Sequence, residues 1–255
     1  MNIFAVVGSQ RRGNTYRQVE KLEKEIKKYG DFNFEYLNLW DEDIKKCTGC
    51  HLCLIHGIEK CPLEDNILDI KEKMIKADAI LLSSPVYVMN VAPNIKNFID
   101  RLCSVCHRPE FIKQNGIALT TVGGYGDKNV LKYLKEVLSV WGTQKVVKVG
   151  LQTPPVKKVS EKITKKNYKI IKKKAEKIAN NLLHKNKVKP TFSNILQFHA
   201  QRAIFTSESS KNNFPADYNF YSELKNKKFH KNIDVGFFKS AIGKIVSKIA
   251  LLFFD

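Results

Sequence analysis

No stretch of this sequence stays apolar long enough to cross a bilayer as a helix. Ahead of the strand-like run Ile3 to Val7 there is no basic segment followed by an apolar one, so no secretory leader is read. These two absences predict a cytoplasmic protein, where thiols stay reduced and serve metals or catalysis rather than disulfides. Neither a G-x-x-x-x-G-K-[ST] phosphate loop nor a G-x-G-x-x-G fingerprint occurs, which argues against a triphosphate or a dinucleotide cofactor. The basic residues lack the basic–aromatic module of a nucleic-acid binder, and no nucleic-acid partner is expected. Acidic residues are scarce late in the chain. Residues 151–255 hold 22 of the 44 Lys and Arg but only 7 of the 25 Asp and Glu, within a net charge of +19. That imbalance points to an anionic surface or acidic partner for the C-terminal part, or else to solvated lysine faces.

Cysteine is sparse but concentrated. Four of the six lie in CTGCHLCLIHGIEKCPLED, Cys47 to Asp65, at C-x2-C-x2-C-x7-C. Three thiolates so close in sequence fold around one small inorganic centre, and a fourth can close the shell. Such triplets are the usual ligands of a cubic iron–sulfur cluster. Zinc sites come as two well-separated pairs, a poorer match. Gly49 permits a tight turn and Pro62 stiffens the exit. Cys103, Cys106 and His107 spell C-x-x-C-H, the haem c attachment pattern. A cytoplasmic setting and a helical context argue against haem, leaving buried structural cysteines.

Apolar Ile3 to Val7 leads into GSQRRGNT (Gly8 to Thr15) and then a helical pattern through Ile26. Ser9, Asn14, Thr15 and backbone N–H groups at this helix N-terminus form an anion cradle, with Arg11 or Arg12 adding charge. It suits a monophosphate, although an ordinary capped helix reads the same way. Phe32 to Leu39 alternates as a second strand. Ile67 to Ile75 is helical, and Ala79 to Ser83 is a buried parallel strand. At its carboxyl end Pro85, Val86 and Tyr87 are placed to hug a flat ring, since ligands of open α/β sheets sit there. Asn94 to Leu102 is a helix begun by Pro93. Gly116 to Thr121 is a fourth strand ending in the glycine-rich loop VGGYGD. Val130 to Val140 is a helix, Lys145 to Val149 a fifth strand and Ile163 to Leu183 a long helix. The alternation predicts a parallel doubly wound sheet. After Pro190 this pattern stops. Phe192 to Phe205 has helical spacing, and Ser207 to Lys231 reads as an irregular connection. Phe237 to Phe254 reads as an amphipathic helix with a basic face. It could lie on an anionic membrane, meet a partner subunit or dock on the protein's own core.

With these loops assembled, residues 1–185 resemble the iron–sulfur flavoprotein branch of the flavodoxin-like, NADPH-dependent FMN reductase superfamily. The carrying motifs are GSQRRGNT, CTGCHLCLIHGIEKCPLED, SSPVYVMNVAPNIKNFIDR and TTVGGYGD. The resemblance implies an α/β, five-stranded sheet in order 2-1-3-4-5 with 44–66 a cysteine loop; residues 186–255 lie outside it and read, from charge and helical spacing, as a basic, mainly helical extension. It implies that Ser9, Arg11, Asn14 and Thr15 hold the FMN phosphate. Pro85, Val86, Tyr87 and Asn90 would line the isoalloxazine ring, and Thr121, Gly123 and Gly124 would close its far side. Cys47, Cys50, Cys53 and Cys61 would ligate a [4Fe-4S] cluster. It also implies a homodimer or tetramer with the flavin near a subunit interface.

The expected function is an FMN-dependent oxidoreductase whose cluster relays single electrons between an external carrier and FMN. No acid–base dyad or nucleophile is expected. A ferredoxin-type donor fits the basic surface. The competing readings are an NAD(P)H-dependent FMN or quinone reductase with merely structural cysteines, and a non-catalytic flavodoxin-like carrier docked to membrane through residues 237–254.

Overall fold

A computed structural model describes residues 1–184 and 190–230, together with Ile233, Val235, Gly236, Ile242, Gly243 and Ile245. Five strands form one sheet: β1 (Asn2–Val7), β2 (Asn33–Asn38), β3 (Ala79–Pro85), β4 (Asn115–Val122) and β5 (Val146–Gln152). Their order is β2-β1-β3-β4-β5 and every pairing is parallel. The alternation of strands and helices predicts a parallel doubly wound sheet, and the order is the flavodoxin-like one that the resemblance implies.

Side-chain alternation along β1 shows why two helical layers are needed. Phe4 and Val6 enter one core, with Ile70 and Met74 of α3 (Ile67–Lys76), Ile95 and Phe98 of α4 (Pro93–Arg101) and Leu134 and Leu138 of α6 (Asp127–Val140). Ile3, Ala5 and Val7 enter the other, with Val19, Leu22 and Ile26 of α1 (Asn14–Ile26) and Ile171, Ala175 and Ile178 of α7 (Glu161–Leu183). Period-2 strands between period-3.6 helices bury both sheet faces, so Ala79 to Leu82 of β3 are wholly enclosed.

Two single-turn helices interrupt the long connections: α2 (Leu52–Ile55) in the cysteine loop and α5 (Ser104–His107) after α4. Beyond residue 190 lie α8 (Phe192–Phe205), α9 (Glu208–Asn213) and α10 (Pro215–Glu223). The segment expected to be irregular is thus largely helical. Phe198, Phe205, Tyr221 and Phe229 gather around Ile112 in a third apolar cluster. Tyr221 of α10 meets Phe198 and Phe205 of α8, but α10 carries no continuous apolar stripe to betray it in sequence. The amphipathic stretch predicted at 237–254 lies outside the described residues, apart from Ile242, Gly243 and Ile245.

Candidate functional site

The strand order reverses between β1 and β3, which opens a crevice beyond their carboxyl ends. Gly8 leaves β1 there. Its N–H donates to the Ser83 carbonyl at 2.9 Å, and a Cβ would stand 2.7 Å from Ile95 Cβ. Only glycine lets the chain pass so close to α4. The loop then reaches α1, whose N-cap residue is Gly13. No side chain caps this helix, and no acid occupies its first turn. Its first-turn N–H groups and dipole therefore meet no capping or acidic side chain, an end suited to hold an anion. Exposed Arg11 and Arg12 flank it, and the Arg12 guanidinium lies 5.6 Å from the Tyr16 ring centroid.

The predicted phosphate residues divide. Asn14 stands exposed at the helix start, and its Oδ1 accepts from Arg17 at 3.3 Å. The buried Ser9 hydroxyl donates to the Arg11 carbonyl at 2.8 Å and so shapes the loop itself. Thr15 is buried, its Oγ1 2.7 Å from Thr121 Oγ1. That hydroxyl pair ties the first predicted loop to the third.

Pro85 and Val86 are half-buried after β3. The Val86 N–H donates to the Thr121 carbonyl at 2.9 Å. Tyr87 and Asn90 exchange two backbone hydrogen bonds of 2.9 Å, closing a tight turn over Val88 and Met89. Both central residues have positive φ, +45° for Val88 and +68° for Met89. A β-branched residue rarely adopts this conformation, and such strain concentrates at ligand sites. Val88 is 97% exposed, so its own packing does not compensate the strain. Gly126, at φ +101°, lies under this turn: a Cβ there would stand 3.0 Å from both Met89 Sδ and Val86 Cγ1. Gly123 and Gly124 are exposed, and a Cβ on Gly124 would meet nothing within 4 Å.

Cys47, Cys50, Cys53 and Cys61 line one pocket of about 280 Å³, beside Asp100 and Arg101. Cys103, expected to be a buried structural residue, is half-exposed and lines the same pocket. Cys106 is the more enclosed of that pair, its thiol pKa pushed up to about 11 by burial. The sulfurs differ in their surroundings. The Leu52 N–H pulls the Cys50 thiol pKa below its ordinary value, whereas burial pushes that of Cys53 up. Among the described residues no group of three or more His, Cys, Asp or Glu side chains is drawn together as around a single metal ion.

Helix α4 joins the pocket to the crevice. Its Asn97 accepts from the Cys47 N–H at 2.9 Å and donates to the Lys45 carbonyl at 3.1 Å. Asn97 lies four residues past Pro93, ~6 Å along the helix axis, and the strained turn ends just before Pro93. One turn later Arg101 reaches into the loop. It pairs with Asp65, each side chain 1% exposed, and points toward Cys61 Sγ at 3.7 Å. Burial disfavours the Asp65 carboxylate. Hydrogen bonds from Arg101, Lys45 N–H and Ile67 N–H overcome this and hold its pKa below the ordinary value. Neither Asp65 nor Arg101 was expected as a site residue. The sole hint in sequence is that each closes a motif, Asp65 the cysteine loop and Arg101 the segment after β3.

Residues 1–154 match the family model described as NADPH-dependent FMN reductase. An iron–sulfur flavoprotein of Archaeoglobus fulgidus is 34% identical over 152 residues, covering 59% of this chain and 66% of its own length. An iron–sulfur flavoprotein of Clostridioides difficile is 27% identical over 212 residues, covering 80% of this chain and 89% of its own. Other archaeal relatives match over about half their length, 48% and 51%. Among solved structures, an NAD(P)H:quinone oxidoreductase from Methanothermobacter marburgensis superposes with a TM-score of 0.55 at 16% identity. It covers 72% of this chain and 96% of its own, a likeness of fold.

Proposed function

The chain belongs to the NADPH-dependent FMN reductase family, and on that premise we propose an FMN-dependent oxidoreductase that passes electrons between an external carrier and FMN through a [4Fe-4S] cluster. One observation carries the cluster: four thiols from a single loop line one pocket. They surround about 280 Å³ rather than converging on a point. A tetrahedral zinc site draws its sulfurs to within ~4 Å of one another, given Zn–S bonds of about 2.3 Å. A cubane takes one thiolate at each of four irons and holds them further apart. The donor set therefore fits the bulkier group, with Cys47, Cys50, Cys53 and Cys61 as ligands. The relatives named as iron–sulfur flavoproteins support the same reading.

The crevice residues fit a flavin mononucleotide. The uncapped N-terminus of α1, with Ser9, Arg11, Asn14 and Thr15, supplies N–H groups and positive charge for a phosphate. Pro85, Val86, Tyr87 and Asn90 offer one wall for a flat ring. Thr121, Gly123 and Gly124 offer the other, where missing side chains let backbone approach closely. Together the two groups supply conversion between one-electron and two-electron transfer. The protein's part is to orient the ring, exclude water and set both potentials through hydrogen bonds and charge. Arg101 places a cation 3.7 Å from Cys61 Sγ, where it would offset the negative charge of a bound cluster.

Tyr87, Val88, Met89 and Tyr125 form an exposed apolar rim at the crevice, with Tyr125 79% exposed. This rim supports a homo-oligomer that covers the ring edge. The basic surface supports an acidic, ferredoxin-type carrier. The test is anaerobic purification with iron, sulfide and flavin quantified. About four irons and one FMN per chain are expected. A colourless, iron-free protein would remove the cluster from the account.

A further inference from the structure

The third cysteine sits in α2, a helix of one turn, too short to hold itself. Its start is strained, with His51 at φ +61°. Within it His51 and Leu52 carbonyls accept the local N–H groups. The Cys53 and Leu54 carbonyls instead take hydrogen bonds from Arg108, at 2.6 and 3.1 Å. These are orphan acceptors of a helix end, satisfied by one forked guanidinium. Arg108 is largely buried and pairs with Asp217, whose side chain is 0% exposed. Asp217 also meets His107 Nδ1 at 2.8 Å. It stands in the first turn of α10, where the helix dipole favours a carboxylate. A second anchor fixes α10: the Tyr221 hydroxyl donates to the His107 carbonyl at 2.7 Å.

Asp217 lies beyond the residues matched to the family model, which end at 154. Yet its carboxylate supplies the counter-charge for Arg108, which grips the Cys53 and Leu54 carbonyls. We propose that Asp217 is a positioning residue: through Arg108 it fixes the backbone of Cys53 and Leu54, so the C-terminal extension completes the thiol pocket. The proposal takes from the functional reading only that Cys53 is a ligand. Without Asp217 a buried cation has lost its counter-charge, and the guanidinium leaves for water, releasing both carbonyls.

The test compares full-length wild type with Asp217→Asn, Arg108→Lys and Tyr221→Phe, all purified anaerobically. Iron release to a chelator is expected to rise about 10–100-fold in the first two, the usual cost of a lost supporting contact. Lysine keeps the charge but cannot fork across two carbonyls, so its failure separates positioning from charge. Tyr221→Phe loosens the extension without touching Arg108. It should lower the melting temperature and leave iron release within about twofold. In parallel, metal-free protein is alkylated briefly and mapped by mass spectrometry. Cys53 labelling should rise about 10-fold relative to Cys47 and Cys50 in the first two variants only. Should the chain hold no iron, this labelling arm still decides, and only the functional reading fails. Wild-type iron release with an unchanged labelling pattern in both Asp217→Asn and Arg108→Lys would overturn the proposal. So would equal acceleration at all four cysteines in every variant, since that is general loosening.

Discussion

At Val88 a β-branched residue holds φ +45° on an almost fully exposed turn. Strain of this kind costs of order 1–3 kcal/mol. Val88→Gly is therefore expected to raise the stability of the flavin-free protein by about 1 kcal/mol, after glycine's greater chain entropy is subtracted. Urea unfolding with and without FMN checks this. The same variant should bind FMN more weakly, because the turn is no longer preset. No sequence signal marks this turn, since valine is among the last residues expected there. Asp65 and Arg101 were equally hidden: 36 residues separate them, and only the fold brings them together. Breaking their buried pair with Arg101→Met should cost ~3–5 kcal/mol. Because the folded state depresses the Asp65 pKa, its contribution is complete above the unfolded value. It is lost as pH falls through the lower folded value. The protection of residues 61–67 against amide exchange, taken relative to free-peptide rates at each pH, should thus be high at neutral pH and fall below about pH 4. A loop whose protection factors are unchanged by acid would contradict the role given to Asp65.

Among the elements, α1 starts without a capping side chain or an acid in its first turn. Gly13→Asp places a carboxylate at the N-cap, worth ~1 kcal/mol to a helix. Nothing crowds a side chain there: the nearest atom to a Cβ on Gly13 is 3.5 Å away. The flavin-free variant is expected to melt no lower than wild type, while FMN binding weakens at least ~10-fold through charge repulsion, or 1.4 kcal/mol. Differential scanning fluorimetry and flavin fluorescence quenching measure the two effects. Equal FMN affinity would remove the phosphate from this helix end. Strands and helices with strong periodicity were legible in the sequence, and β1, α1 and the α8 bounds at Phe192 and Phe205 came out as read. The helices at 208–213 and 215–223 were not. The first is six residues long with no aromatic side chain, and the second packs Tyr221 on Phe198 and Phe205 of α8 without a continuous apolar stripe. A linear pattern cannot show that Tyr221 shares an apolar cluster with Ile112 of the main domain.

For the whole molecule, the two-layered α/β frame brings the loops after β1, β3 and β4 to one rim. The cysteine loop lies against the flank of α4. Motif reading found these pieces because each carries its own residue chemistry. It missed what joins them: Asn97 on the first cysteine, Arg101 beside the fourth, and the extension's Asp217 behind the third. Those contacts are long-range and involve common polar residues, so spacing alone holds no trace of them. The net charge of +19 should make capture of an acidic carrier fall steeply with salt. The most direct measurement is anaerobic stopped-flow mixing of oxidised protein with a reduced, acidic one-electron carrier. Flavin bleaching is followed in wild type and in a Cys53→Ser variant that retains FMN. The account predicts rapid bleaching in wild type and a flavin that stays oxidised on that timescale in the variant. Equal bleaching rates in the two proteins would contradict it.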